Sequence, residues 1–288
     1  MYVIVVGVDG SAHADVALRW ALQQARSAGA ELYLVYAYGR RLGTDGSDDG
    51  HAAADNVLAS IVDHHRAALG AVPWRAHAQS YGRGSPTHVL LDEAQQADLI
   101  VVGSRGLGGF GELILGSTSY RLVCWARIPV AVIRTDPSKG PSADPPAKGF
   151  VVGIDGSDTG DRALRWAAAE ARRREVPLEV VHSQPLPMHH VLGMAAVPSM
   201  ERERELVRQE GAQILARALD RAAEALEGLE VRRQARVGPP ADALAVVAGT
   251  DHVLVVGNRG HSYVRGVMLG SVSHQVLHHA HGPVVVVP

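Results

Sequence analysis

The chain has 288 residues, of which 47% are hydrophobic and 20% charged, with 28 Lys or Arg against 30 Asp or Glu. That length and apolar content fit two ordinary globular domains, and a formal net charge of −2 gives no electrostatic basis for binding nucleic acid. The single Cys124 excludes an intrachain disulfide framework and suits a reducing compartment.

The amino terminus, Met1-Tyr2-Val3-Ile4-Val5-Val6-Gly7, lacks a basic leader, and its apolar run is far too short to act as a signal or to cross a bilayer. The expectation is a cytoplasmic chain without a membrane partner. A strand over about 2–8 runs into Asp9-Gly10, and Ser11 is placed to cap a helix whose Leu18, Ala21, Leu22 and Ala25 form one apolar face. A second strand follows at 32–37, then a polar Gly/Asp-rich loop at 39–50 and a helix over roughly 51–69. Residues 74–80 alternate like a strand, and Ser85-Pro86 opens a helix with Pro at a favoured first position. The continuously apolar Leu99-Ile100-Val101-Val102 reads as a strand buried on both faces.

That strand leads into Gly103-Ser104-Arg105-Gly106, then nine residues, then Gly116-Ser117 and a helix carrying Tyr120, Val123 and Cys124 on one side. Cys124 in a helix reads as a small buried hydrophobe. A last strand lies at 129–133. Glycines let backbone approach a ligand closely, and a helix start offers unpaired N–H groups with a dipole that favours anions. The arrangement reads as a phosphate cradle.

All of this occurs twice. Val5-Val6-Gly7-Val8-Asp9-Gly10-Ser11 returns as Val151-Val152-Gly153-Ile154-Asp155-Gly156-Ser157, an offset of 151 − 5 = 146. Gly257-Asn258-Arg259-Gly260, nine residues and Gly270-Ser271 repeat the cradle at an offset of 257 − 103 = 154. Strands of the second copy fall near 150–154, 178–183, 230–236, 252–256 and 284–287, with a long Arg/Glu-rich helix at about 199–227. The boundaries are 1–135 for the first domain, 136–148 for a Pro/Gly/Ser linker and 149–288 for the second domain. Strand–helix alternation predicts an α/β fold of two tandem, open, mostly parallel five-stranded sheets with helices on both faces. In such sheets ligands bind outside the carboxyl ends of strands, where strand order reverses.

With these motifs the chain closely resembles the tandem universal stress proteins of the ATP-binding branch, over both halves and everything but the linker. The family pattern G-x2-G-x9-G-[ST] is met at Gly103, Gly106, Gly116, Ser117 and at Gly257, Gly260, Gly270, Ser271, and its first-strand aspartate at Asp9 and Asp155. The resemblance implies a Rossmann-like, adenine-nucleotide-hydrolase-like fold packed with pseudo-two-fold symmetry. The apolar final strands would pair between domains, which also removes an edge prone to aggregation; a homodimer is compatible with it. It further implies ATP or another adenine nucleotide in each half, with Mg²⁺ near Asp9 and Asp155. In the first half the nucleotide would meet Asp9, Gly10 and Ser11, the backbone of Ala37, Val102, Gly103, Arg105 and Gly106, and the helix start Gly116, Ser117, Thr118 and Ser119. In the second it would meet Asp155, Gly156 and Ser157, the backbone of Ser183, Val256, Gly257, Arg259 and Gly260, and Gly270, Ser271, Val272 and Ser273. Ala37 and Ser183 stand where a larger aliphatic residue is common. The nine-residue stretches also differ, Leu107-Gly108-Gly109-Phe110-Gly111 against His261-Ser262-Tyr263-Val264-Arg265.

Plainer readings stand beside these. The glycines could serve tight turns alone, Asp-Gly is a common turn pair, and Arg105 and Arg259 could be solvated loop charges. Exact doubling of the motif favours nucleotide. The implied role is a nucleotide-dependent regulator of the stress response, as in growth control under starvation or low oxygen, acting on an unidentified protein partner. A slow ATP hydrolase or a nucleotide-free scaffold are the alternatives. No G-x4-GK[ST] loop occurs, Lys is confined to Lys139 and Lys148, and the turn after the first strand is Asp-Gly-Ser rather than the S-G-G-x-D-S of ATP pyrophosphatases. No catalytic residue is assigned. His274, His278, His279 and His281 cluster without a cysteine or a nearby carboxylate and read as a surface helix, and His64-His65 carries still less weight as a metal site. Trp20 and Trp166 read as packing residues. The segment Pro185-Leu186-Pro187-Met188-His189-His190-Val191-Leu192-Gly193-Met194 could be a lid, a partner surface or local packing.

Overall fold

A computed structural model describes residues 1–39, 49–82, 84–106, 115–134, 148–187, 197–260 and 269–288. Residues 40–48 of the polar loop, 107–114 and 261–268 of the two nine-residue stretches, the linker residues 136–147, and 188–194 of the apolar segment lie outside these described residues. The chain divides into two compact units, Met1–Pro145 and Pro146–Pro288.

In the first unit the strands are β1 (Val3–Val8), β2 (Glu31–Tyr38), β3 (Trp74–Ser80), β4 (Leu99–Gly103) and β5 (Val130–Ile133). The helices are α1 (Ala12–Ala28), α2 (Asp49–His64), α3 (Arg66–Leu69), α4 (Pro86–Glu93) and α5 (Ser117–Trp125). Strand order is β3-β2-β1-β4-β5, and every pairing is parallel. The central strands are Val/Ile/Leu-rich because both faces are covered: Ile4, Val5, Val6 and Leu99 to Val101 are fully buried. A Cβ placed on Gly7 would meet Leu90 of α4, whereas one on Gly103 would meet His13 of α1. The two helices therefore press on opposite faces of the sheet. Trp20 of α1 is fully buried against it.

The second unit repeats the plan with β6 (Phe150–Gly153), β7 (Leu178–Gln184), β8 (Val231–Val237), β9 (Val253–Gly257) and β10 (Val284–Val287), in the order β8-β7-β6-β9-β10 and again parallel. Its helices are α6 (Asp158–Arg174), α7 (Val197–Arg221), α8 (Ala223–Leu226), α9 (Pro240–Ala248) and α10 (Ser271–His279). Trp166 is half-buried, edge-on to Phe150 with ring centroids 6.2 Å apart. Cys124 is likewise half-buried rather than a core residue.

Two helices expected to be continuous are broken. The one predicted over 51–69 ends at His64, and His65 adopts φ −100°, ψ 7° before a short further turn. The one predicted over 199–227 breaks at Ala222 with φ −108°, ψ 9°. In both units strand order reverses beside the first strand, between β1 and β4 and between β6 and β9. That places a crevice at the carboxyl ends of those strands.

Candidate functional site

β1 runs into the Asp9-Gly10-Ser11 turn. Gly10 sits at φ +80°, a region glycine enters without steric cost. Asp9 Oδ1 accepts the Ser11 N–H at 2.9 Å, and Ser11 Oγ accepts the Ala14 N–H at 3.2 Å as the N-cap of α1. The copy is built alike. Gly156 has φ +86°, Asp155 Oδ1 accepts the Ser157 N–H at 3.0 Å, and Ser157 Oγ accepts the Gly160 N–H at 3.2 Å. One carboxylate oxygen of each aspartate thus holds the turn. The other faces the cradle: a Cβ on Gly106 would lie 2.5 Å from Asp9 Oδ2, and one on Gly260 would collide with Asp155 Oδ2.

The first glycine of each cradle permits a close approach of backbones. A Cβ on Gly103 would fall 2.7 Å from the His13 carbonyl, and one on Gly257 3.0 Å from that of Thr159. The third glycine closes the loop, since Gly116 N–H donates to the Ser104 carbonyl at 2.8 Å and Gly270 N–H to the Asn258 carbonyl at 2.7 Å. Ser119 and Ser273 are buried and donate their hydroxyl protons to the carbonyls of Gly103, at 2.7 Å, and Gly257, at 2.6 Å. Their side chains hold the cradle's shape. The first backbone bonds within α5 and α10 run from Tyr120 N–H to Gly116 at 3.0 Å and from His274 N–H to Gly270 at 2.9 Å. The N–H groups of Ser117, Thr118 and Ser119, and of Ser271, Val272 and Ser273, therefore stand at the positive end of a helix, ahead of its first intrahelical bond.

In the first unit these groups border a cavity of about 680 Å³. Asp9, Val102, Gly103, Arg105 and Gly106 line one side, the Gly116 to Ser119 helix start another, and Ala37 the end of β2. Gly10 and Ser11 do not reach it; they border a second cavity of about 570 Å³ beside α1 and α2. Tyr81, Pro86 and Leu90 complete the first cavity's wall. None of the three was read as a site residue from the sequence, although Tyr81 follows β3 at the same carboxyl edge, and that position was signal enough.

Charge is concentrated here. Burial pushes His13 below the ordinary 6.5, Arg105 adds to the shift, and Asp9 opposes it. Burial likewise lowers Arg134, directly after β5, with Arg105 contributing. Arg105 of the cradle therefore acts on two further basic groups, His13 and Arg134, neither of them anticipated. At the matching places of the second unit stand Thr159 and Pro288, with Arg259 in the role of Arg105. Arg259 is exposed and Arg105 half-buried. Thr159 Oγ1 donates to the Arg259 carbonyl. Gly238 replaces Tyr81 after β8, and its carbonyl accepts from the buried Ser183 hydroxyl at 3.0 Å. Val256, like Val102, is buried beneath its cradle.

The histidines near the carboxyl end lie on α10 and just beyond it. The His274 and His278 rings are 4.6 Å apart, and a carboxylate does join the group, Asp242 Oδ1 at 3.4 Å from His279 Nδ1. Among the described residues, a compact set of metal-ligating side chains is found elsewhere, at Asp15, His64 and His65.

Tandem doubly wound α/β units, each with a glycine cradle between its first-strand turn and a helix start, define a Rossmann-like class of protein at the level of fold. A family profile described as the universal stress protein family matches residues 1–134 and 147–288. The universal stress protein Rv2005c of Mycobacterium tuberculosis is 31% identical over 295 residues, covering 98% of this chain and 96% of its own length. Rv1996 of the same organism is 32% identical over 308 residues, covering 98% and 94%. A solved universal stress protein from Archaeoglobus fulgidus superposes with a TM-score of 0.68 at 18% identity, covering 99% of this chain and 97% of that one. The chain belongs to the universal stress protein family, as a tandem member, and with it to the proteins of the stress response.

Proposed function

We propose that the chain is a nucleotide-dependent regulator that binds ATP at the two cradles. The observation carrying this reading is the 680 Å³ cavity, a size suited to a nucleotide, in which glycine backbone, a helix start and the Arg105 side of the cradle face one another. The donor set fits the ligand. The helix-start N–H groups of Ser117 to Ser119 with Arg105 would receive phosphates, while Val35, Ala37, Tyr81 and Leu90 offer an apolar wall for adenine. Asp9 Oδ2 and Asp155 Oδ2 are the oxygens that would meet a Mg²⁺ ion carried by the nucleotide, where the ion would screen phosphate charge from the carboxylate.

Regulation requires that nucleotide bind one loop state better than another and so change what a protein partner meets. The test is to extract the purified protein without added ligand, identify bound nucleotide by chromatography and mass, and titrate the stripped protein with ATP. About two ATP per chain supports the reading. ADP alone, with phosphate released from fresh ATP, replaces it with slow hydrolysis. No nucleotide and no binding on titration leaves an interaction scaffold. A homodimer is part of the same proposal and is read from light scattering with and without ATP.

A further inference from the structure

The second cavity, of about 570 Å³ beside α1 and α2, holds side chains that nucleotide binding leaves unused. Asp15 on α1 and His64 and His65 at the end of α2 bring a carboxylate oxygen and two ring nitrogens within 4.8 Å of one another. His65 Nε2 lies 2.7 Å from Asp15 Oδ1. Successive helical residues point in different directions, but the helix breaks at His65, and the two rings stand 4.9 Å apart at 86°. His65 is buried and His64 exposed. The pair carried little weight as a metal site in the sequence because the third member is fifty positions away.

The second copy acts as an internal control. The offset of 146 sets Asp161 against Asp15, and the shared helix break sets Ala222 against His65 and Arg221 against His64. There the two helices are tied by one bidentate ion pair, Arg221 Nε and Nη2 to the Asp161 carboxylate at 2.6 and 2.8 Å. That pair meets the structural need with one side chain and leaves an alanine beside it. A tether alone does not call for two imidazoles.

We propose that Asp15, His64 and His65 form a site for a divalent transition-metal ion of the zinc type. Two imidazoles and a carboxylate are a ligand set that such ions take, with the fourth position left to water or to a ligand atom from the cavity. Ligand atoms around a tetrahedral ion are about 3.3 Å apart, so Asp15 and His65 part slightly while the surface His64 ring turns inward. Arg19 Nη2, 3.2 Å from Asp15 Oδ2, holds the carboxylate from behind as an outer partner.

The test titrates the full chain with Co²⁺ and Zn²⁺, carrying His278→Ala so that the close His274–His278 pair adds no signal. One equivalent should bind, with the intense visible bands of tetrahedral Co²⁺. The decisive variant is H64R/H65A, which installs the second copy's tether. It should unfold at the metal-free parent's temperature yet bind at least ~10-fold more weakly, the loss that removal of even an outer partner brings. If that variant fails to fold, His64→Ala, at an exposed position, decides by the same loss. No binding by the parent, or unchanged affinity in the folded variants, overturns the proposal.

Discussion

At Ser11 and Ser157 a single hydroxyl caps each domain's first helix, so Ser11→Ala should destabilise its domain by about 1 kcal/mol, read from urea unfolding. Gly103→Ala carries a different cost, because its Cβ would sit 2.7 Å from the His13 carbonyl, which is backbone and cannot step aside. Overpacking of that kind costs about 1–3 kcal/mol. Gly257→Ala, with 3.0 Å of clearance, should lose less in the same unfolding experiment. His13 makes stability depend on pH. Above the unfolded value of 6.5 the ring is neutral in both states and contributes nothing. As pH falls through 6.5 toward the lower folded value, the unfolded chain takes up its proton first and stability is lost. His13→Thr, the residue type of the second copy, should flatten the unfolding midpoint against pH in that window. Glycines, serines and aspartates of the cradle were legible in sequence because their doubling exposed them. His13 and Arg134 were not, since nothing in their local sequence says that burial and Arg105 will press on them.

Among the elements, the strands were the most legible. Strands buried on both faces read as unbroken apolar runs, and β3, predicted at 74–80, is Trp74–Ser80. Helix ends without Gly or Pro were less so. The breaks at His65 and Ala222 lie beside contacts to the unit's first helix, Asp15 to His65 and Asp161 to Arg221, and neither residue type signals the break. α6 shows how one element can rest on a single charge. Glu170 is fully buried and held by Arg173 and, at 2.6 Å, by Arg174, which also lies 4.8 Å over the Phe150 ring. Glu170→Ala removes the carboxylate from a guanidinium that is itself only 4% exposed, and should cost about 3–5 kcal/mol. The matching Gln24 of α1 is buried and uncharged, so Gln24→Ala should cost clearly less when the two are compared by denaturant unfolding.

Over the whole molecule, the repeat preserves the cradle's hydrogen bonds and varies its surroundings. Tyr81, His13 and Arg134 in one unit stand against Gly238, Thr159 and Pro288 in the other. Under the nucleotide proposal, Tyr81→Ala should remove a stacking surface worth about 1–3 kcal/mol and weaken one of two binding steps in calorimetry while leaving the other unchanged. Equal weakening of both steps would contradict that assignment. The strand ends make the contrast plainest, because β5 is followed by a half-buried cation and β10 by a proline. Two unlike receptors for one ligand, joined at fixed one-to-one ratio, would fill in succession rather than together. Such a chain would act as a gauge: its intermediate, half-filled form would persist over a wider span of ligand concentration than two identical receptors would give.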